Sequence, residues 1–413
     1  MSYDLRCFGW ESCVIPHSLQ GITNLVPTWK DLKILRHMNR MKPEELHLLN
    51  QFFYDADGHP YMPGYTKGEP IGDGSYARIY LGKRGVFHPI NDKTEGIVNL
   101  SRNVHMNDIC IKEVPLKVTR EEQRSSPGTK QKAYDEELRS ILHEAFLHAL
   151  VQKVFQYEGL PQQVPVLNEV IGLTKKGHIA QLPDDFQCVW LLMERLRGVT
   201  LETYLKHTWT PYKYAENESV LIDILVQLAY SLHILQKRLR FNHRDMKLNN
   251  LFIRSQESAA DRMLSIPHYG IHRCQHILTL LDFGFSCIGC EVDGKALVSA
   301  GTWFHEDDSC FKPGRDICTF LYALHAAYPL LNYISESLYD RLHHAMFAVC
   351  DGTQLDLLRG VDLHGNLYPH GISLAQPIQF HEGLYKCLSQ PRLDVPGCEP
   401  ITLLKSLRVY TQQ

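Results

Sequence analysis

The stretch His243–Asn250, which reads H-R-D-M-K-L-N-N, follows an amphipathic helical segment near the middle of the chain. It places a carboxylate, an ammonium group and a carboxamide at fixed offsets on one loop, from Asp245, Lys247 and Asn250. Further along, Leu281–Gly284 reads L-D-F-G and adds another carboxylate. Phosphoryl transfer requires a group that orients a hydroxyl, a cation for the moving phosphate and oxygen ligands for magnesium. The two segments together therefore predict phosphoryl-transfer chemistry.

Size and composition narrow the class of protein. The chain has 413 residues, of which 44% are hydrophobic and 10% aromatic, as is typical of a packed globule rather than a disordered segment. A net charge of −3 gives no reason to expect nucleic-acid binding. No apolar run reaches the roughly 18 residues of a membrane helix, and the N-terminus lacks the apolar core of a signal peptide. We therefore expect a soluble intracellular protein, cytoplasmic or nuclear, whose twelve cysteines are mostly reduced.

The predicted elements run from strands to helices. Residues 71–81 alternate into a strand after two closely spaced glycines, which predicts a strand–turn–strand unit. Further strands are predicted at 108–114, 164–173 and 188–194, with a helix containing 136–150 and preceded by a charged stretch at 117–132. This order indicates an α+β protein whose strands come first.

The second half of the chain is predicted to be mainly helical, including the part from Asp316 onward. One predicted helix, which leads to His243, carries on one face Leu221, Ile224, Leu225, Leu228, Leu232 and Leu235. The polar stretches 84–108 and 254–275 are interpreted as insertions. Residues 29–53 predict one or two amphipathic helices in an accessory element, which either packs on the following domain or binds a partner.

These motifs, in this order, resemble the eukaryotic-type protein kinase superfamily over residues 66–340. The resemblance implies a two-lobed protein-kinase-like fold of the α+β class. Its parts would be an N-terminal extension (1–65), a small β-rich N-lobe (66–195) and a larger helical C-lobe (196–413) with an insertion near 254–275. The extension is expected to pack on the kinase domain or to bind a regulator.

The resemblance also implies a binding site for ATP. It assigns the nucleotide contacts to Ile71, Gly72, Gly74, Ser75, Ile79, Cys110, Lys112, Met193, Glu194, Leu196 and Phe252. In that family the lysine that contacts the α- and β-phosphates pairs with a helical glutamate. Glu144 is the first choice for that partner and Glu137 the second.

The resemblance assigns the chemistry to the loop quoted first. Asp245 would orient the attacking hydroxyl and Lys247 would neutralise the transferring phosphate, while Asn250 and Asp282 would hold Mg²⁺. A lysine two residues after the aspartate is the pattern of serine/threonine kinases. His243 is expected to pack beneath the Asp282 loop. Asp316 resembles the buried helix start that anchors the backbone of the loop.

The sequence departs from the family pattern in several places. Ala77 replaces the third glycine of the glycine-rich loop, and Cys110 replaces the usual alanine above the adenine. The A-P-E motif is missing, so the activation segment is shortened or rebuilt. Ser299 is the best candidate for a phosphate that pairs with Arg244, ahead of Ser286 and Ser309, although the loop could equally be ordered without phosphorylation. Cys287 and Cys290 could begin a zinc site or form a redox switch, but reduced structural thiols are the simpler interpretation.

The predicted function is transfer of the γ-phosphate of ATP to serine or threonine hydroxyls of a protein substrate. One alternative is a pseudokinase that serves as a nucleotide-binding or scaffolding module. It would be expected to lack Lys112, Asp245, Asn250 or Asp282, all of which are present. A second alternative is phosphorylation of a small molecule, which the pairing of R-D with the lysine two residues later disfavours.

Overall fold

A computed structural model describes most of the chain. The described residues are 47–48, 53–54, 60–73, 77–90, 99–101, 107–116, 127–173, 187–254, 263–267, 269–292, 295–300, 311, 313–347 and 399–411. Within them the fold is α+β, with antiparallel sheets and helices. Two compact units are present, and the chain passes from the first to the second at Leu196–Arg197. Residues 153–164 group with the second unit, although the sequence had assigned them to the N-lobe.

An antiparallel sheet forms most of the described part of the first unit. In the described residues it has eight strands. They are β1 (His47–Leu48), β2 (Phe53–Tyr54), β3 (Pro60–Asp73), β4 (Arg78–Ile90), β5 (Asn99–Ser101), β6 (Asn107–Pro115), β7 (Leu167–Leu173) and β8 (Cys188–Glu194). The main order is β1-β3-β4-β6-β8-β7, with β2 paired to β3 and β5 to β4. Strands predicted at 164–173 and 188–194 therefore exist with nearly the expected bounds.

Two predictions for this unit were wrong. His47, Leu48 and Phe53 were assigned to an amphipathic helix but lie in strands β1 and β2, because these strands pair with β3 at the edge of the sheet. The rest of 29–53 lies outside the described residues. The stretch 84–108 was interpreted as a loop-like insertion, yet β4 continues to Ile90 and pairs with β5. Backbone pairing with a neighbouring strand thus overrode the helical spacing of the first segment and the polar composition of the second.

One long helix, α1 (Pro127–Tyr157), follows β6. It begins within the charged stretch that was expected to precede it. A core of apolar side chains from the helix and the sheet includes Leu138, Ile141, Ala145, Val114 and Leu191. Burial of these side chains holds α1 against β6 and β8, which positions the glutamates of the helix relative to the sheet.

The second unit is mainly helical. Its helices are α2 (Leu201–Thr208), α3 (Tyr214–Leu239), α4 (Arg315–Ala327), α5 (Glu336–Phe347) and α6 (Pro400–Thr411). Its short strands are β9 (Gly198–Thr200), β10 (Phe241–Asn242), β11 (Leu251–Arg254), β12 (Met263–Ile266), β13 (Gly270–Arg273), β14 (Ile277–Leu280), β15 (Cys287–Val292) and β16 (Lys295–Ala300). They form three small antiparallel sheets, β14-β11-β9, β10-β15-β16 and β12-β13. The predicted insertion near 254–275 contains the β12–β13 hairpin.

Helix α3 is the centre of this unit. Its predicted apolar face is buried, including Leu221, Leu228 and Leu235. Among the described residues α3 alone is long and apolar enough to cross a membrane, but 67% of that stretch is buried inside the protein, as in an ordinary core helix. The helix ends at Arg240, whose left-handed backbone (φ 49°) turns the chain into β10 and the loop at His243.

Candidate active site

The glycine-rich segment of the first unit is the turn of an antiparallel hairpin. Gly72 lies opposite Ile79, and Asp73 lies opposite Arg78, across β3 and β4. Ile71 is 52% exposed just before the turn. Gly74 and Ser75, which were predicted to contact phosphates, lie outside the described residues. The strand–turn–strand prediction is therefore confirmed up to the tip of the hairpin.

Several predicted nucleotide contacts share one face of this sheet. Lys112 lies opposite Ile79 on β4 and opposite Leu191 on β8. Cys110, two residues earlier, lies opposite Met193. Directly opposed residues of antiparallel strands, and residues two apart on one strand, project from the same face. The register thus brings these side chains to one surface of the sheet.

Lys112 forms an ion pair with helix α1. Its Nζ lies 2.5 Å from Oε1 of Glu144, and the two side chains are only 13% and 10% exposed. Glu144, the first choice from the sequence, is therefore a carboxylate that contacts this lysine. Because both charges are largely withdrawn from water, their attraction is weakly screened and each fixes the orientation of the other.

The residues predicted to contact adenine lie at the end of β8 and just after it. Burial raises the pKa of the Cys110 thiol, and the charge of Arg195 and a hydrogen bond from the Leu196 amide oppose that rise. Cys110 and Leu196 are therefore direct neighbours. The Glu194 amide donates to the Val166 carbonyl at 2.8 Å, which fixes the backbone at the end of the strand.

In the second unit, the loop after β10 brings three predicted site residues together. Lys247 Nζ lies 2.7 Å from Asp245 Oδ2, and Asn250 Nδ2 donates to the same oxygen at 2.8 Å. Asn250 Nδ2 also donates to the Asp245 backbone carbonyl at 2.7 Å. With Nδ2 so engaged, the Asn250 carbonyl oxygen Oδ1 can serve as a cation ligand. Lys247 is half exposed, so its ammonium group can reach a bound molecule.

Asp316, at the start of α4, holds this loop from beneath. It is fully buried and accepts hydrogen bonds from the amides of His243 and Arg244, each at 2.9 Å. Asn242 Nδ2 donates to the same carboxylate at 3.1 Å. The anchoring role predicted for Asp316 is confirmed. Arg244 has a left-handed backbone (φ 67°), a conformation that a non-glycine residue keeps only when its surroundings enforce it.

The Asp282 loop adjoins the Asp245 loop through main-chain contacts. Leu251 pairs with Leu280 across β11 and β14, and the Leu281 amide donates to the backbone carbonyl of Asn250 at 2.9 Å. The His243 ring nitrogen Nε2 lies 2.8 Å from the Leu281 carbonyl oxygen, as predicted from its expected place beneath that loop. Asp282 itself has φ 61°, a second strained non-glycine backbone at this site. Asp282 directly follows Leu281, whose amide is hydrogen-bonded to the backbone of Asn250.

Phe252 lies half-buried on β11, between Thr200 of β9 and Thr279 of β14. Gly198 of β9 approaches this strand closely. A Cβ atom at Gly198 would lie 2.0 Å from the Ile253 carbonyl oxygen and 2.9 Å from Phe252 Cε1. Glycine is therefore required at that position to let β9 pair with β11.

The segment after Asp282 is rebuilt as a hairpin. Strands β15 and β16 pair with each other, and β15 pairs with β10. Ser299 lies on β16, but its side chain is outside the described residues, as is Ser309. Ser286 was a candidate phosphorylation site, and this was wrong because Ser286 is fully buried and its hydroxyl donates to the His243 carbonyl at 3.3 Å. Arg244, the expected phosphate partner, is 2% exposed.

The cysteines of this hairpin require a further correction. Cys287 is disulfide-bonded, whereas the sequence predicted reduced thiols. The side chain of Cys290 lies outside the described residues. A sulfur held in a disulfide is not available as a zinc thiolate, so this state of Cys287 does not support the zinc alternative.

One cluster was missed by the sequence reasoning. Asp223 on α3 meets His272, Cys274 and His276, which lie in or beside the stretch interpreted as a polar insertion. The available signal was the alternation H-x-C-x-H at 272–276. This alternation does not by itself predict the cluster, because the fourth member, Asp223, lies 49 residues before His272 in the sequence.

Comparison with models of known protein families and with curated protein sequences found no match to this chain. The candidate site is therefore defined by its own residues and their geometry.

Proposed function

We propose that this protein is an ATP- and Mg²⁺-dependent protein kinase that phosphorylates serine or threonine hydroxyls. The observation that carries the proposal is the contact of Asp245 with Lys247 and Asn250 on a loop held by buried Asp316. A carboxylate, an ammonium group and a carboxamide in mutual hydrogen-bonding contact are the groups that in-line phosphoryl transfer uses. We further propose that the two units correspond to the β-rich N-lobe and helical C-lobe of a two-lobed kinase fold.

Asp245 is proposed to accept a hydrogen bond from the hydroxyl of the substrate and to orient its oxygen toward the γ-phosphorus. The hydroxyl proton passes to Asp245 or to the phosphate as the new O–P bond forms and ADP leaves. Lys247, already 2.7 Å from Asp245, is close enough to stabilise negative charge on the phosphoryl oxygens. Positioning and charge neutralisation, more than proton abstraction, supply the rate enhancement.

The proposed ligands for Mg²⁺ are Asn250 Oδ1 and the carboxylate of Asp282. Both offer the hard oxygen atoms that this cation prefers, and their loops are joined by the bond from the Leu281 amide to the Asn250 carbonyl. When bound, the ion would neutralise phosphate charge. The left-handed backbone at Asp282 turns the chain shortly after β14 and fixes the position of the Cα atom from which the carboxylate extends.

The first unit is proposed to bind ATP through the face of the sheet that carries Lys112. The pair with Glu144 holds the lysine in one orientation, from which Nζ would contact the α- and β-phosphates. Cys110, Met193 and Leu196 would surround the base. The Leu196 amide donates a hydrogen bond to the Cys110 sulfur in this structure. On ATP binding, adenine would have to replace that sulfur as the acceptor.

The test is transfer of labelled phosphate from ATP by the full-length chain to a panel of proteins and, separately, to small alcohols. We expect label on serine and threonine of protein, and its loss in Asp245→Asn. The matched control is Asp340→Asn, which changes an exposed aspartate on α5 and should leave transfer unchanged. Tight ATP binding without transfer to any acceptor would instead identify a pseudokinase. Label on small alcohols alone would identify a small-molecule kinase, and either result would overturn the proposal.

A further inference from the structure

We propose that Asp223, His272 and Cys274 bind a zinc ion that ties the β12–β13 hairpin to helix α3. One ligand atom from each of the three residues lies within 4.8 Å of the others. A carboxylate oxygen, an imidazole nitrogen and a thiolate sulfur are the three atom types that zinc takes from proteins. This site is independent of the proposed kinase activity and shares no residue with it.

The three residues come from two elements that face each other. Asp223 lies on α3, while His272 lies in β13 and Cys274 directly follows that strand. In extended chain, residues two apart project to the same side, so the imidazole and the thiol both face the helix. Asp223 is 1% and Cys274 3% exposed, and Cys274 is not disulfide-bonded. The thiol is thus buried beside a carboxylate rather than in a purely apolar core.

The distances suit a small cation. His272 Nε2 lies 2.8 Å from Asp223 Oδ1, slightly less than the separation of two ligand atoms on a tetrahedral zinc ion. A displacement of a few tenths of an ångström in either side chain would therefore make room for the ion. With three protein ligands, a water molecule would complete the tetrahedron.

Neighbouring side chains hold the ligands in place, as is usual around protein metal sites. His276 Nδ1 lies 2.8 Å from the second carboxylate oxygen of Asp223, and the His276 amide donates to that oxygen at 3.0 Å. Gln227, one helical turn after Asp223, donates to its Oδ1 at 3.0 Å and to the His276 carbonyl at 3.0 Å. Tyr204 meets the other nitrogen of His276 at 2.6 Å. Both oxygens of Asp223 are therefore oriented before any ion binds.

The charges also favour a divalent cation. Zinc binding would displace the thiol proton of Cys274 to solvent. One carboxylate and one thiolate then balance the two positive charges of the ion, and the buried site becomes neutral.

The experiment measures zinc in the purified full-length chain by mass spectrometry. We expect about one zinc per chain, falling to background in Cys274→Ser. The matched control is Cys318→Ser, which alters another buried cysteine, on helix α4, and should keep its zinc. Zinc that persists in Cys274→Ser would place the ion elsewhere and overturn the proposal.

Two further measurements keep the proposal testable if Cys274→Ser does not fold. Cobalt-substituted wild-type protein should show the near-ultraviolet charge-transfer band of a Co²⁺–thiolate bond and the visible bands of tetrahedral Co²⁺. Gln227→Leu, which keeps all three ligands, should weaken zinc binding by about 10- to 100-fold in a chelator competition assay. Wild-type protein that holds no zinc after reconstitution and shows no cobalt–thiolate band would refute the site.

Discussion

The carboxylate of Asp316 offers the sharpest test of how the candidate catalytic loop is held. It is fully buried and accepts three hydrogen bonds, from the amides of His243 and Arg244 and from Asn242 Nδ2. In Asp316→Asn the carboxamide oxygen can keep the two donors on the Oδ2 side. Its NH₂ group then faces the Arg244 amide, so one charge-assisted bond is replaced by two opposed donors.

The magnitude follows from the number of bonds lost. A hydrogen bond to a charged group contributes about 1.5–3 kcal/mol, so Asp316→Asn should lower the free energy of unfolding by about 2–3 kcal/mol. Asp316→Ala removes the carboxylate that accepts all three hydrogen bonds and should lower the free energy of unfolding by about 4–6 kcal/mol. The strained backbone at Arg244 should relax in both variants, because the bond that enforces it is lost.

Urea unfolding followed by far-ultraviolet circular dichroism measures these differences. Asp340→Asn, an exposed aspartate on α5, is the control and should stay within about 0.5 kcal/mol of the wild type. If Asp316→Ala also stayed within about 0.5 kcal/mol, the buried carboxylate would not be the anchor of the loop, and the reasoning would be refuted.

Three further predictions concern stability. Gly198→Ala should lower the free energy of unfolding by about 3 kcal/mol or more in urea titrations, since its Cβ would clash with the backbone of β11. The control Gly159→Ala, also at positive φ but with no atom within 4 Å of the added Cβ, should lower it by only about 1 kcal/mol. Equal losses in the two variants would argue against a steric cause. Glu144→Ala should lower it by about 3 kcal/mol, and adding Lys112→Met should restore part of that loss in a double-mutant cycle; strictly additive losses would show that the pair is not coupled. Burial raises the pKa of Glu169 from 4.5 to about 8, and this desolvation outweighs the attraction of Arg84, whose Nη2 lies 3.0 Å from Glu169 Oε1. Between those values the folded protein keeps a proton that the unfolded chain loses, so stability should fall as pH rises, by at most about 1.4 kcal/mol per pH unit. Glu169→Gln should flatten that slope in unfolding curves measured between about pH 5 and 8, and an unchanged slope would assign it to other groups.

Helix α3 and the strands at 188–194 and 164–173 could be predicted from the sequence, because their apolar periodicity is a local property. The strands at 47–48 and 53–54 could not. The apolar residues of 29–53 fit a helical period, and only β3, further along the chain, supplies the hydrogen bonds that make 47–48 and 53–54 strands. The same holds for Ser286, whose burial depends on the packing of a loop that no local pattern describes.

The sequence by itself determined the close group Asp245, Lys247 and Asn250, because residues on one short loop stay within reach of each other in almost any fold. It also indicated that Lys112 needs a carboxylate from the following helix. Glu137 and Glu144 are seven residues apart on nearby faces of that helix, so helical periodicity cannot separate them.

Only the tertiary structure decided which glutamate meets Lys112, because the packing of α1 on the sheet sets the depth of each turn. It also brought Asp223 to His272, at a sequence separation of 49 residues. Such contacts depend on the burial of whole helices and strands against one another. That burial is a property of the folded chain and leaves no periodic trace in the residues that it brings together.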